Sequence, residues 1–165
     1  MTRWAMYANV EMQPEVRQQL YPQLKEMIEG KSQLEAVESI LNWIQTAFLY
    51  QRDDEVWGHD RAFFAEETLF YPSCDCEDRS ILFTRLVRDL LGLKCILVHY
   101  PGHLASGVCF TEEVKGDYIL EVEGDRYAVC DPTFVIVDEN HNIVGGARVG
   151  ESMFDNSSAT VIVLD

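Results

Sequence analysis

The sequence predicts an α+β domain, with helices first and an antiparallel sheet after them. Three observations carry that prediction. Apolar residues recur at three- and four-residue spacing through much of the first half of the chain, and this stops at Gly92. Beyond Gly92, short β-rich runs alternate with turn-forming clusters. Two pairs of these runs flank the turn sequences "EGD" and "DENHN", as hairpins do. Helices followed by strands, rather than alternating with them, is the order of an α+β fold.

In chain order, residues 14–30, "PEVRQQLYPQLKEMIEG", read as one helix or a pair interrupted at Pro22, with Gly30 as the stop. Ser32 and Glu35 then form a capping box, Ser32 as N-cap and Glu35 reaching back. Leu34, Val37, Leu41, Ile44 and Phe48 follow on one face, the mark of a core helix. "YQRDDEVWGHDR" is polar and turn-rich and is expected to be a loop, and "AFFAEETLF" a short helix. Over residues 76–91, Leu82, Leu86 and Leu90 make an apolar row widened by Ile81, Phe83, Val87 and Leu91. Arg79, Arg85, Arg88 and Asp89 fall largely on the other side. Gly92 ends that helix. "KCILVHY", "HLASGVCF", "DYILEV", "RYAVC", "TFVIV", "NIVG" and "ATVIVL" are the expected strands, with "EGD" as a three-residue hairpin loop.

The bulk properties narrow the function classes. A chain of 165 residues suggests one domain, divided here into a mostly helical part (1–66), a central part (67–134) and C-terminal strands (135–165). A net charge of −15 repels phosphate backbones and anionic bilayers, so neither nucleic acid nor membrane is an expected partner. No segment has the apolar length of a membrane span, and "MTRWAMYANVEMQPE" lacks the pattern of a signal peptide. The compartment stays open, because a chain excised from a longer protein could have lost an export signal. Five cysteines at irregular spacing suit reduced thiols better than a disulfide framework.

The chemistry gathers at "FYPSCDCEDRSILFTRLVRDLLGL". A thiol attacks as its thiolate, which a helix N-terminus favours through free N–H groups and the dipole. Cys76 stands at or just inside the expected helix start, with Ser73 or Asp75 as N-cap, whereas Cys74 precedes it. Glu77 and Asp78 suit the helix end but oppose a thiolate, so a nearby imidazolium is needed. His103 follows the Pro101–Gly102 turn at a strand start, and Asp131 ends the strand "RYAVC". A carboxylate there can accept the second imidazole N–H and fix the tautomer.

These segments resemble the transglutaminase-like superfamily. "CDCEDRSILFTRLVRDLLGLK" is similar to its cysteine segment, and "ETLF" to the Glu-Thr-Leu that often precedes it in bacterial members. "GHLASGV" stands in the place of its histidine strand, and "YAVCDPTF" resembles its Asp-Pro-Thr strand end. The match covers roughly residues 67–134. The resemblance implies Cys76 as nucleophile, His103 as general base and then acid, and Asp131 as orienter. It also implies a papain-like core, a cysteine helix packed on an antiparallel sheet. Two departures stand out: Cys74 occupies a usual glycine position, and Leu104–Ala105 replace the Ala-Trp that usually follows the histidine and walls the cleft. "LLGLKCILVHYPGHLAS" and "ARVGESM" are similar to the C-terminal domain of bacterial relatives, which implies a domain excised from a longer chain.

The resulting expectation is a cysteine hydrolase or acyltransferase acting on peptide or protein amides through a thioester, with hydrolysis favoured over transamidation. The natural oxyanion donor is the backbone N–H of Cys76, with the Tyr71 hydroxyl as second donor and Trp57 as its rival. A dense acidic Ca²⁺ loop is not found, so no cofactor or metal is expected. Two alternatives stand beside this reading. One is a non-catalytic binding module on the same fold. The weaker one is a zinc protein using Cys74 and Cys76, whose one-residue spacing and scattered His99, His103 and Cys109 lack the usual paired ligands. Cys95 and Cys109 read as buried strand residues, Cys130 points toward the site or away from it, and His99 reads as packed. His59 and His141 sit in polar loops.

Overall fold

A cysteine-bearing helix laid across one face of a sheet organises the chain. The computed structural model describes residues 3–50, 63–71, 73–116 and 118–165, with 49 and 50 described by backbone alone. The expected loop at 51–61 therefore lies outside the described residues, along with Trp57 and His59.

Five α-helices are described: α1 (Arg3–Asn9), α2 (Pro14–Ile28), α3 (Gln33–Ala47), α4 (Ala65–Phe70) and α5 (Cys76–Leu91). Strands β1 (Leu49–Tyr50) and β2 (Ser73–Cys74) form a short parallel pair that leads into α5. The main sheet contains β3 (Lys94–Tyr100), β4 (His103–Cys109), β5 (Ile119–Val122), β6 (Asp125–Cys130) and, at the end of the chain, β9 (Thr160–Val163). Its order is β5-β6-β4-β3-β9, with every neighbouring pair antiparallel. A separate antiparallel ribbon joins β7 (Val135–Val137) to β8 (Ile143–Gly146). The helices-then-strands order is the α+β arrangement expected from the sequence.

The period-two pleat sorts side chains onto two faces. Cys95, Leu97, Leu104, Val108, Ala128 and Cys130 join the helices in the larger core, while Ile96, Val98, Tyr100, Ala105, Tyr127 and Val129 form a smaller one. Burial on the helix side is what places the N-terminus of α5 at the end of the sheet where β4 begins.

The structure decides some local expectations and corrects others. Helix α2 runs through Pro22 unbroken, because buried Tyr21, Leu24 and Ile28 hold it to the core on both sides of the missing N–H. Ser32 Oγ accepts the Glu35 N–H at 3.2 Å, one half of the expected capping box. The turn in the β5–β6 hairpin has two residues, not three, since Val122 pairs with Asp125 and both Glu123 (φ 53) and Gly124 (φ 85) are left-handed. Arg79 and Arg85 are buried rather than solvated. Arg79 reaches the Phe48 and Pro132 carbonyls. For Arg85 the reason is helix α1, too short to show a period: its buried Ala5 and Ala8 allow close approach, and Arg85 and Arg88 donate to the Ala8 carbonyl at 3.3 and 3.4 Å. Those guanidinium groups satisfy a helix C-terminus that would otherwise be buried with open carbonyls.

One buried side chain joins the first half of the chain to the second. Gln45 on α3 donates its amide hydrogens to the carbonyls of Asp131 (3.1 Å), Ala147 (2.9 Å) and, more weakly, Phe134 (3.4 Å). It lies so close to β8 that a Cβ on Gly146 would overlap its Oε1, whereas a Cβ on Gly145 meets nothing within 4 Å. Gly146→Ala is therefore expected to displace Gln45 and leave buried carbonyls unpaired, at about 1–3 kcal/mol. Gly145→Ala should stay within about 0.5 kcal/mol of the parent. Urea unfolding of the two variants checks this, and equal midpoints would remove Gln45 as a brace.

Candidate active site

The start of α5 is held by reciprocal capping. Asp75 is the N-cap, and its Oδ1 accepts the N–H groups of Glu77 (3.1 Å) and Asp78 (3.2 Å). Asp78 returns the bond, accepting the Asp75 N–H on Oδ2 at 3.0 Å, and its Oδ1 accepts Phe63 N–H at 3.2 Å. Asp78, fully buried, thus ties the segment before α4 to the start of α5. Of the two acids expected at this helix N-terminus, Glu77 and Asp78, it is Asp78 that closes the clasp, with the N-cap Asp75 as its partner. Cys76 is the first helical residue, where an N–H has no acceptor within the helix.

Two hydroxyls align the strands with that helix. Ser80 Oγ donates to the Leu104 carbonyl at 3.0 Å, joining α5 to β4 beside His103. Ser106 Oγ donates to the Cys130 carbonyl at 2.7 Å, joining β4 to the end of β6 beside Asp131. The structure accordingly brings His103 and Asp131 together, with Nε2 to Oδ2 at 2.7 Å. Asp131 is fully buried, and its other oxygen, Oδ1, accepts the Thr133 N–H at 3.0 Å. Oδ1 is already taken by the Thr133 N–H, so a neutral imidazole paired to Oδ2 donates from Nε2 and keeps its lone pair on Nδ1.

Cys76 begins α5 near the Leu104 backbone and within reach of the Asp131 charge. The Leu104 backbone, one residue after His103, acts on its thiol, and no hydrogen bond between thiol and imidazole is found among the described residues. Burial pushes the Cys76 thiol up to about 12; the Leu104 backbone bond opposes this, while Asp75, Glu77 and Asp131 add to the rise. The expected advantage of a helix N-terminus is therefore outweighed, and the resting sulfur is a neutral thiol.

The remaining candidates divide. Cys74 is buried and its thiol is pushed up to about 11 by burial, against the charge and hydrogen bond of Arg79. Arg79 itself donates to the carbonyls of Phe48 (2.8 Å) and Pro132 (3.5 Å), so it braces both the end of α3 and the Asp131 turn. The Tyr71 ring stacks on Phe63 at 4.9 Å and meets Phe70 edge-on at 5.3 Å, and nothing described joins it to Cys76. All five cysteines are free. Cys95 and Cys130 are buried, Cys130 on the helix side of the sheet, while Cys109 is partly exposed rather than buried. His99 packs on Trp4, with ring centres 5.0 Å apart, and His141 occupies a left-handed turn position (φ 63). Among the described residues, no three His, Cys, Asp or Glu side chains converge as metal ligands, and no helix is long and apolar enough to cross a membrane.

Phe154 belongs to the site and was not visible in the sequence. Its ring stacks on His103 at 4.8 Å and 22°, and on Tyr100 at 5.1 Å and 20°. Asp131 fixes the imidazole at one edge, and Phe154 fixes its plane. An aromatic face also favours the ring when it becomes a cation. No local pattern around "SMFD" marks this role, since the contact joins segments far apart in the chain. The His103 ring protons should show an upfield ring-current shift in NMR spectra that Phe154→Ala abolishes and Phe154→Tyr preserves. Unmoved resonances in the alanine variant would remove the stack.

Searches against family models, curated proteins and solved structures find no match to this chain.

Proposed function

We propose that the protein is a cysteine-nucleophile acyl-transfer enzyme acting on amide bonds, with Cys76, His103 and Asp131 as its triad on a papain/transglutaminase-like core. The observation that carries this reading is the 2.7 Å bond between His103 Nε2 and a fully buried Asp131 carboxylate, beside a cysteine at a helix N-terminus. The resemblance of the three segments around these residues supports it further, and so does a cysteine helix packed against an antiparallel sheet.

The raised thiol dictates the order of events. The Cys76 sulfhydryl turns from Leu104 toward Nδ1 of His103, gives up its proton there and attacks the amide carbonyl carbon. The developing oxyanion is met by the Cys76 N–H. As the C–N bond breaks, Nδ1 returns the proton to the leaving amine, and a thioester remains on Cys76. Water, activated by the same nitrogen, then releases the acid; an amine in its place would complete a transamidation. Throughout, Asp131 holds the tautomer and offsets the imidazolium charge. Hydrolysis is the outcome we favour, with peptides or proteins as substrates and no metal or cofactor. The position of the thiol against Leu104 is the one observation favouring the rival reading, a binding module with an idle triad.

Alkylation by iodoacetamide, mapped by mass spectrometry, separates the two. Cys76 should react ahead of the other four cysteines at neutral pH. His103→Gln, which retains a donor for Asp131, should slow it on the order of 100-fold. In that variant only solvent removes the proton, so the rate should climb about tenfold per pH unit toward the thiol's own value near 12. If Cys76 reacts no faster than Cys95 and Cys109, and His103→Gln changes nothing, the enzyme reading fails.

A further inference from the structure

The His103 end of the triad opens into a cleft of about 520 Å³ whose walls are mostly apolar. Phe48 at the end of α3 forms one wall, and Val135, Val137 and Ile143 of the β7–β8 ribbon form the other, with Met153 beside them. The ribbon spends little of its apolar surface on the core. Val137 is 50% exposed, Ile143 42% and Met153 57%. Ribbon strands usually turn such residues inward, and a cluster of them beside a polar site marks a binding surface. The volume lies in the range of small-ligand and side-chain pockets.

Three polar residues line the cleft: Arg79, whose guanidinium donates to the Phe48 and Pro132 carbonyls, and His103 and Thr133, which give it direction. His103 lines it, so anything seated there is within reach of the ring that moves the proton. Thr133 also lines it, and its Oγ1 is buried with no hydrogen-bond partner among the described residues. A buried hydroxyl without a partner is costly unless a ligand supplies one. An amide of the substrate backbone can do so, by accepting from or donating to that hydroxyl.

Resting on the acyl-transfer reading above, we infer that the cleft selects amide substrates carrying a branched aliphatic or aromatic group next to the reacting carbonyl. The apolar group packs on Phe48, Val137, Ile143 and Met153 while Thr133 pairs with the backbone. These are specificity residues, and they perform no proton transfer. The ribbon's exposed apolar face is thereby explained as the floor of a substrate site, continuous with the triad through His103.

Vinyl sulfones test this, because both flanks of the reacting carbon can be varied. The Cys76 sulfur adds to the β-carbon of the vinyl group, the proton passes from the imidazolium to the α-carbon, and nothing leaves. Four probes combine a leucyl or an aspartyl residue on the acyl side with a phenyl or a methyl sulfone on the other. Each rate of Cys76 modification is divided by that of the same probe with free cysteine, which cancels intrinsic reactivity. An apolar group on one flank or both should raise the normalised rate by at least about tenfold. Ile143→Asp and Val137→Asp, both surface changes, should bring that ratio toward one. Equal normalised rates for all four probes would overturn the inference, as would a ratio unchanged in both variants. Failure of the parent reading looks different: there iodoacetamide does not single out Cys76 at all, and the inference falls with it.

Discussion

The structure turns on one buried carboxylate. Asp131 has no exposed surface, and an ion so placed is tolerated only where donors replace its water. His103 Nε2 and the Thr133 N–H supply them. The turn carrying Asp131 is gripped from two further directions, by Gln45 of α3 on the carbonyls of Asp131 and Phe134, and by Arg79 of α5 on the carbonyl of Pro132. Two helices, β4 and β6 thus converge on four residues, and the imidazole can adopt few positions that keep the carboxylate paired. Removing one member of such a set typically costs several kcal/mol, because an uncompensated charge stays behind.

Around Cys76, two effects compete. The helix N-terminus favours a thiolate by roughly 0.3–2 kcal/mol. Burial, reinforced by three acidic neighbours, moves the thiol from 9.0 to about 12, worth about 4 kcal/mol at 1.36 kcal/mol per unit. Burial wins. A thiol guarded in this way is protected from casual oxidation and gains nucleophilicity only when its proton has somewhere to go. In the proposed mechanism the His103–Asp131 pair provides that place, and Phe154 stacks on the imidazole. On the proposed reading, the apolar cleft beyond His103 extends the same arrangement outward to a substrate.

What was legible in the sequence follows from the range of each interaction. Helix α5 and strand β3 show their limits clearly, because Asp75, Gly92 and the apolar spacing are local signals. The His103–Asp131 pair was legible through strand ends and turns that set its position. Helix α1 was not, having only seven residues and no full apolar period. The burial of Arg79 and Arg85 was hidden because it depends on what packs over them, Phe48 for one and α1 for the other, and not on their own helix. Phe154 and Gln45 act across long sequence separations, and neither carries a mark in its neighbours. The raised thiol at Cys76 was missed because a helix start announces its dipole in sequence and its burial only in three dimensions.

The most direct test is acylation itself. Brief exposure to p-nitrophenyl acetate, followed by acid quenching and peptide mass spectrometry, reads which sulfur accepts an acyl group. A thioester-forming triad predicts one acetyl group on Cys76, formed with release of p-nitrophenolate and absent from Cys76→Ser. Acetylation spread over several cysteines, or found on any residue other than Cys76, would contradict it.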